Sequence, residues 1–303
     1  MKLIENMVEN EDIPTMTIGG DFHYRPELRN CTQLVLVCCH ATYTGDGSDT
    51  GEDQWVLQPF QRSNPRTGKP SEHETFIAHI LAGALAVENR PEAVLMFSGG
   101  MTHESAFTEA EGYEKVFQSL GGNSAAVKRY DLENWATDSY QNLLFSILRF
   151  RQLTSHYPDS ITVITHAFKE RRFLKLHAPA IKWPPHRIRV QGINPPFNAH
   201  ELEQTKLGEL ERAYELFVKD PYGMSSELAE KRRARNWKVD MLERLWQDVE
   251  DEVQDLLVWD GGPGGQDIFP KTLPWELNKE PKIRRPSALL ETMTWPPPED
   301  GVP

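Results

Sequence analysis

The chain has 303 residues, 39% hydrophobic and 26% charged, with a formal net charge of −12 and an isoelectric point near 5.4. That length suits about two domains, or one large α/β domain with additions, and the acidic balance argues against an extended nucleic-acid surface. The three cysteines, Cys31, Cys38 and Cys39, form no CxxC pair, which argues against a zinc ribbon or disulfide framework and for reduced, buried thiols in a cytoplasmic protein.

Residues 1–32 read as a polar leader. Residues 1–20 are acidic and lack the apolar core of a secretory signal, and no apolar run reaches the length of a membrane span. Gln33 to His40 is the first strand: its continuous apolarity predicts burial on both faces, as in a parallel sheet. His40 stands at its carboxyl end. Residues 42–51 are rich in Gly, Asp, Ser and Thr and predict a loop, with Trp55 and Phe60 as anchors of the irregular stretch beyond. Ser71 and Glu74 have capping-box spacing, and Phe76, Ile77, Ile80, Leu81 and Leu85 supply the apolar stripe of a helix.

The strand 93–97 follows, and the chain looks organised around it. It runs into Ser98-Gly99-Gly100, predicting a tight turn with free amides, and then into a helix opened by the capping box of Thr108 and Glu111. In an open α/β sheet such a turn lies where ligands bind. Lys128 to Asp131 reads as a short strand or a loop. Asp138 is placed to cap the next helix, which buries Tyr140, Leu143, Leu144, Ile147 and Leu148. Residues 161–165 are another buried strand, ending in Thr165-His166, and a basic segment with Lys169, Arg171 and Arg172 follows before a last strand at 187–193.

The alternation predicts a Rossmann-like, doubly wound, mostly parallel α/β sheet over residues 33–196. Residues 197–259 read as a helical extension packing on it, with a stripe of Leu242, Leu245, Trp246, Val249, Val253 and Leu256. Residues 260–303 hold nine of the 22 prolines and read as an extended tail, pinned by Trp275 and Trp295 and otherwise loose.

Three strand ends converge in such a sheet. His40 and His166 are the candidate proton-transfer residues. Ser98, Gly99, Gly100, Thr137, Asp138 and Thr165 are candidates to hold an anion. Lys169 and Arg172 would neutralise it. Glu109, Glu133 and Asn142 would contact its hydroxyl or amino groups. Glu104, Glu109 and Asp138 could join histidines around a metal, but no ligand spacing resembles a known metal motif.

At these residues the chain resembles the DUF218 family. The resemblance rests on Leu34 to His40, on Phe97-Ser98-Gly99-Gly100 with Thr108-Glu109-Ala110, on Glu133 with Ala136 to Asn142, and on Val163 to Arg172. Together these stretches cover about residues 33–193 in the family's order. The resemblance implies a Rossmann-like fold with a ligand cleft at the strand ends. It admits S-adenosylmethionine as a cofactor, since one bacterial member is associated with that ligand. The chain departs from the pattern where His166 replaces a serine and Lys169 a histidine. The combined expectation is a small anionic metabolite, nucleotide-like, phosphorylated or S-adenosylmethionine, bound at the strand ends. Hydrolysis or transfer of a phosphate-type group is the matching reaction class. The alternative is a non-catalytic scaffold that binds a protein partner through residues 199–258.

Overall fold

In the first strand, β1 (Gln33–Cys38), side chains point alternately to two separate cores. Leu34, Leu36 and Cys38 face one, and Val35, Val37 and Cys39 face the other. This double burial is why the strand is apolar at nearly every position, and each fully buried Leu or Val contributes about 1.5–3 kcal/mol. The computed structural model describes residues 24–122, 128–239, 241–246 and 249–277. Residues 1–23 of the expected leader and Trp295 lie outside them.

Five strands form one parallel sheet in the order β5 (Tyr130–Glu133), β4 (Ala93–Ser98), β1, β6 (Ser160–Thr165), β7 (Ile188–Gly192). Helices α1 (His73–Glu88) and α2 (Glu109–Ser119) cover the face of Val35 and Val37. Helix α3 (Ser139–Thr154) covers the other, together with the helical segment 170–180: α4 (Glu170–Arg172), a π turn (Phe173–His177) and α5 (Ala178–Ala180). The fold is thus α/β and Rossmann-like. Counted in chain order within the sheet, the strands run 3-2-1-4-5, so the winding reverses at β1 and the switch point lies between β1 and β6.

Local signals account for most boundaries. The Thr108–Glu111 capping box is formed in both directions, at 3.1 and 2.8 Å, and Asp138 Oδ1 accepts the Gln141 amide at 2.9 Å. Ser71 does not cap α1; its hydroxyl donates instead to the Gln61 carbonyl at 3.4 Å. The buried face of α1 is Phe76, His79, Ile80, Gly83 and Val87, whereas Leu81 and Leu85 are exposed. Gly83 decides this rotation: a Cβ there would meet Val37 at 2.7 Å and Leu95 at 2.8 Å, so the helix axis lies hard against the sheet. The expected loop at 42–51 opens with a two-residue strand, β2 (Thr42–Tyr43), paired antiparallel with β3 (Trp55–Val56). Trp55 is buried, but Phe60 is exposed.

The extension consists of α6 (Ala199–Glu209), a π turn (Leu210–Tyr214), α7 (Glu215–Lys219), α8 (Ser226–Ala234), α9 (Met241–Trp246) and α10 (Asp251–Leu257). Leu242, Leu245, Val249, Val253 and Leu256 join the α3-side core. Residues 260–277 are not loose: Trp275 is fully buried, its indole N–H donating to the Ile181 carbonyl at 2.8 Å. Arg187 donates to the Trp275 carbonyl at 2.7 Å. Among the described residues no helix is long and apolar enough to cross a membrane.

Candidate functional site

The reversal of winding places the ends of β1 and β6 side by side with no helix crossing between them, and in open α/β sheets this crevice is where ligands bind. His40 leaves β1 and His166 leaves β6, and their rings stack with centroids 4.5 Å apart and planes 22° apart. Helix α1 brings a third imidazole: His79 sits 5.6 Å from His40 and 5.1 Å from His166, edge-on to both. Phe168 closes the stack on the far side of His166 at 4.8 Å. Among the described residues no group of His, Cys, Asp and Glu is placed to hold a metal ion; these rings stack rather than converge.

Hydrogen bonds assign the protons. Lys169 Nζ lies 3.2 Å from His40 Nδ1. An ammonium only donates, so Nδ1 accepts and the ring carries its proton on Nε2, which donates to Thr165 Oγ1 at 3.2 Å. His79 Nε2 is 3.0 Å from the Ile193 carbonyl and must donate to it, which leaves His79 Nδ1 as a buried acceptor with no partner. His166 is 1% exposed, and neither of its ring nitrogens has a hydrogen-bond partner. The Glu72 carboxyl lies 3.7 Å from its Nε2, beyond hydrogen-bond reach. Native structures leave few buried polar atoms unpaired, so three in one cluster mark this crevice.

The electrostatics agree with three neutral imidazoles. Burial pushes His40 and His166 well below the ordinary histidine range and His79 to about 4, with Lys169 adding repulsion at all three. Burial likewise raises the Glu72 carboxyl. Lys169 falls to about 8, first through burial and then through repulsion by Arg172. Arg172 is buried and faces Glu209 of α6, with Nε 3.2 Å from Oε1. The two atoms are not aligned as a hydrogen bond.

The other candidate residues form a second cluster, engaged within the protein. The amides of Gly99 and Gly100 are not free, contrary to the expectation for this turn. Gly99 donates to the Glu133 carbonyl at 3.0 Å and Gly100 to the Ala136 carbonyl at 2.7 Å. Glu133 Oε1 accepts the Trp135 and Ala136 amides at 2.7 and 3.0 Å, while Oε2 accepts the Ser98 hydroxyl at 2.5 Å. Asn142 Nδ2 donates to the Ser98 carbonyl and hydroxyl at 3.0 and 2.9 Å. Thr102 donates to Glu109 Oε1 at 2.5 Å, and burial raises the Glu109 carboxyl despite that bond. The amide and hydroxyl of Thr137 both donate to Gln141.

Two arginines of α8 and the residue after it cover this edge. Arg232 Nε donates to Asp138 Oδ2 at 2.6 Å, and Arg235 donates to the Thr137 carbonyl at 2.6 Å. Burial would raise the Asp138 carboxyl, but Arg232 and the Gln141 amide hold it below its usual range. The place expected for an anion at this helix start is therefore filled by the Asp138–Arg232 ion pair.

No family model matches the chain, and no solved structure matches it. The chain is similar to the uncharacterized protein YOR238W of Saccharomyces cerevisiae, 29% identical over 258 residues covering 67% of this chain and 83% of the yeast protein.

Glu72, His79 and Glu209 escaped sequence reasoning. Glu72, Phe76 and His79 are spaced four and three residues apart, one helical face. That spacing was the available signal, masked because the more apolar Leu81 and Leu85 suggested another face. Nothing local marks Glu209 within an acidic, exposed helix.

Proposed function

We propose that the crevice between the ends of β1 and β6 binds a small anionic metabolite, phosphorylated or nucleotide-like. Support comes first from His166, a fully enclosed imidazole with both nitrogens unpaired beside Lys169. Among the described residues Lys169 forms no ion pair within 4.0 Å, although Glu209 and Glu72 act on its charge, and Arg172 pairs with Glu209. Two cations and three neutral imidazoles offer charge, donors and acceptors to a phosphoryl group. A neutral His166 offers a lone pair to a proton, and the negative charge of a bound phosphate-type group would favour the imidazolium that burial disfavours, as hydrolysis or transfer of that group needs. The resemblance to the DUF218 family, with S-adenosylmethionine as one candidate ligand, points to the same strand ends. The scaffold alternative draws less support, because the stripe it would use, Leu242 to Leu256, faces the core.

A thermal-shift screen with nucleotides, sugar phosphates and S-adenosylmethionine tests the proposal. A ligand at a hundred times its Kd stabilises the native state by about 2.7 kcal/mol. The shift is expected to vanish in Arg172→Ala. An unchanged shift in that variant places the ligand elsewhere, and no shift with any compound removes the proposal.

The pH dependence of binding follows from Lys169. Its folded-state value is depressed to about 8, so the ammonium is present below that pH and lost above it. Affinity for an anion is expected to be level from pH 6.5 to 7.5. Above pH 8 it should fall by about tenfold per unit, the limit for loss of one required proton. Calorimetric titration across pH checks this. The same slope in Lys169→Met would assign the titration to another group.

A further inference from the structure

In α1 and α2 one helical face is buried and in α3 nearly every residue is, but in α6 no residue is. The exposed character runs on through the π turn, and from Phe197 to Leu216 no side chain is buried. Pro195 and Phe217, both buried, anchor the two ends of this stretch. Between them it is held by a few polar contacts. Thr67 donates to Glu201 Oε1 at 2.9 Å. Lys69 lies over the Phe197 ring at 4.9 Å, and Arg171 lies over the Tyr214 ring at 4.5 Å. The deepest contact is Arg172 with Glu209, whose side chains are 8% and 11% exposed. Exposed pairs and cation–π contacts are each worth about 1 kcal/mol or less, so the segment belongs to the low-stability end of the fold.

Glu209 is an unusual partner for Arg172. Arginine–carboxylate pairs are frequently held by two parallel hydrogen bonds. Here Arg172 Nε and Glu209 Oε1 are both enclosed, 3.2 Å apart, and unaligned. Glu209 also lies close enough to Lys169 to favour its charged form. One carboxylate thus faces Arg172 directly and acts on the charge of Lys169, carried there by a helix with no buried residue.

We propose that Glu209 is an internal stand-in for the ligand's anion, and that α6 is a displaceable cover. A phosphoryl-bearing ligand takes the place of the Glu209 carboxylate at Arg172, and α6 moves away from the crevice. This rests on the reading of Lys169 and Arg172 as an anion site. It adds regulation: apparent affinity is reduced by the fraction of molecules in which Glu209 holds the site. If the covered state is favoured ten to one, the apparent Kd is raised about tenfold.

The test uses the full-length chain and inorganic phosphate at constant ionic strength. In Glu209→Gln the Kd for phosphate, measured by calorimetry, is expected to fall about tenfold or more. Adding Arg172→Met to that variant should abolish the gain. A second measurement needs no substitution: amide hydrogen exchange across 199–209 in the wild-type chain should accelerate when phosphate is added. Phosphate binding that is unchanged or weaker in Glu209→Gln overturns the cover, as does unchanged exchange at saturating phosphate, while either result leaves the anion site standing. If neither the wild-type chain nor Glu209→Gln binds phosphate, the cover is overturned. The anion site itself falls if the metabolite screen gives no response, or if Arg172→Ala leaves every response in it unaltered.

Discussion

Ending the chain after Pro196 is expected to give aggregated protein rather than a smaller folded domain. The α3-side core is shared: Phe217, Tyr222, Leu245, Val253, Leu273 and Trp275 of the later chain pack with Phe145, Phe150, Tyr157 and Trp183 of the sheet domain. Each such side chain contributes about 1.5–3 kcal/mol on burial. Six of them contribute about 9–18 kcal/mol, as much as the roughly 5–15 kcal/mol by which a whole domain is stable. Polar contacts would be lost as well. Arg187 would lose the Trp275 carbonyl, and Asp138 would lose the ion pair with Arg232. Size-exclusion chromatography and circular dichroism of residues 24–196 check this. A monodisperse fragment with a cooperative melt would show that the sheet domain closes its own core.

Glu133→Ala is expected to destabilise the protein by about 3–5 kcal/mol, because it orphans the Trp135 and Ala136 amides and the Ser98 hydroxyl in a buried place. Glu133→Gln should cost less, since its amide oxygen can still accept both backbone N–H groups. Urea titration of both variants measures the difference, and a change in Glu133→Ala under 1 kcal/mol would refute the structural role of this carboxylate. Burial raises the Glu133 carboxyl to about 7 against the three donors. With the folded value above the unfolded one, the folded state binds the extra proton between about pH 4.5 and 7. The stability this provides is full below that window and lost as pH rises through it, up to about 3 kcal/mol. His40, His79 and His166 act oppositely: their values are depressed, so their contribution is lost as pH falls below 6.5. The wild-type minus Glu133→Gln difference isolates the carboxylate.

These effects share a cause in how the sheet edge is built. The residues first assigned to anion binding around Ser98 and Thr137 are tied into one another and into α8. The crevice at the winding reversal keeps three ring nitrogens, one of His79 and two of His166, unpaired. Polar character at a strand end is thus shared by two clusters with different fates. What separates them is whether another part of the chain supplies the hydrogen-bond partners.

The amino-acid sequence alone determined the order of the long buried strands and the helices between them, but not β5 or the β2–β3 pair, because a strand buried on both faces must be apolar throughout and a helix start needs an oxygen at its cap. Gln33–Cys38, Ala93–Ser98 and Ser160–Thr165 carry the first signature, and Thr108 and Asp138 carry the second. It also placed His40, Thr165, His166, Lys169 and Arg172 at strand ends, since that follows from where the apolar runs stop. Tertiary structure alone decided the rest. His79 reaches the crevice because Gly83 lets α1 lie against the sheet, and a histidine and a glycine weaken the apolar stripe by which a buried face is read. Arg232 meets Asp138 across 94 residues of chain, and Glu209 meets Arg172 from an exposed helix. Charge pairs of this kind leave no periodicity in the sequence; they exist only once the elements that carry them have packed.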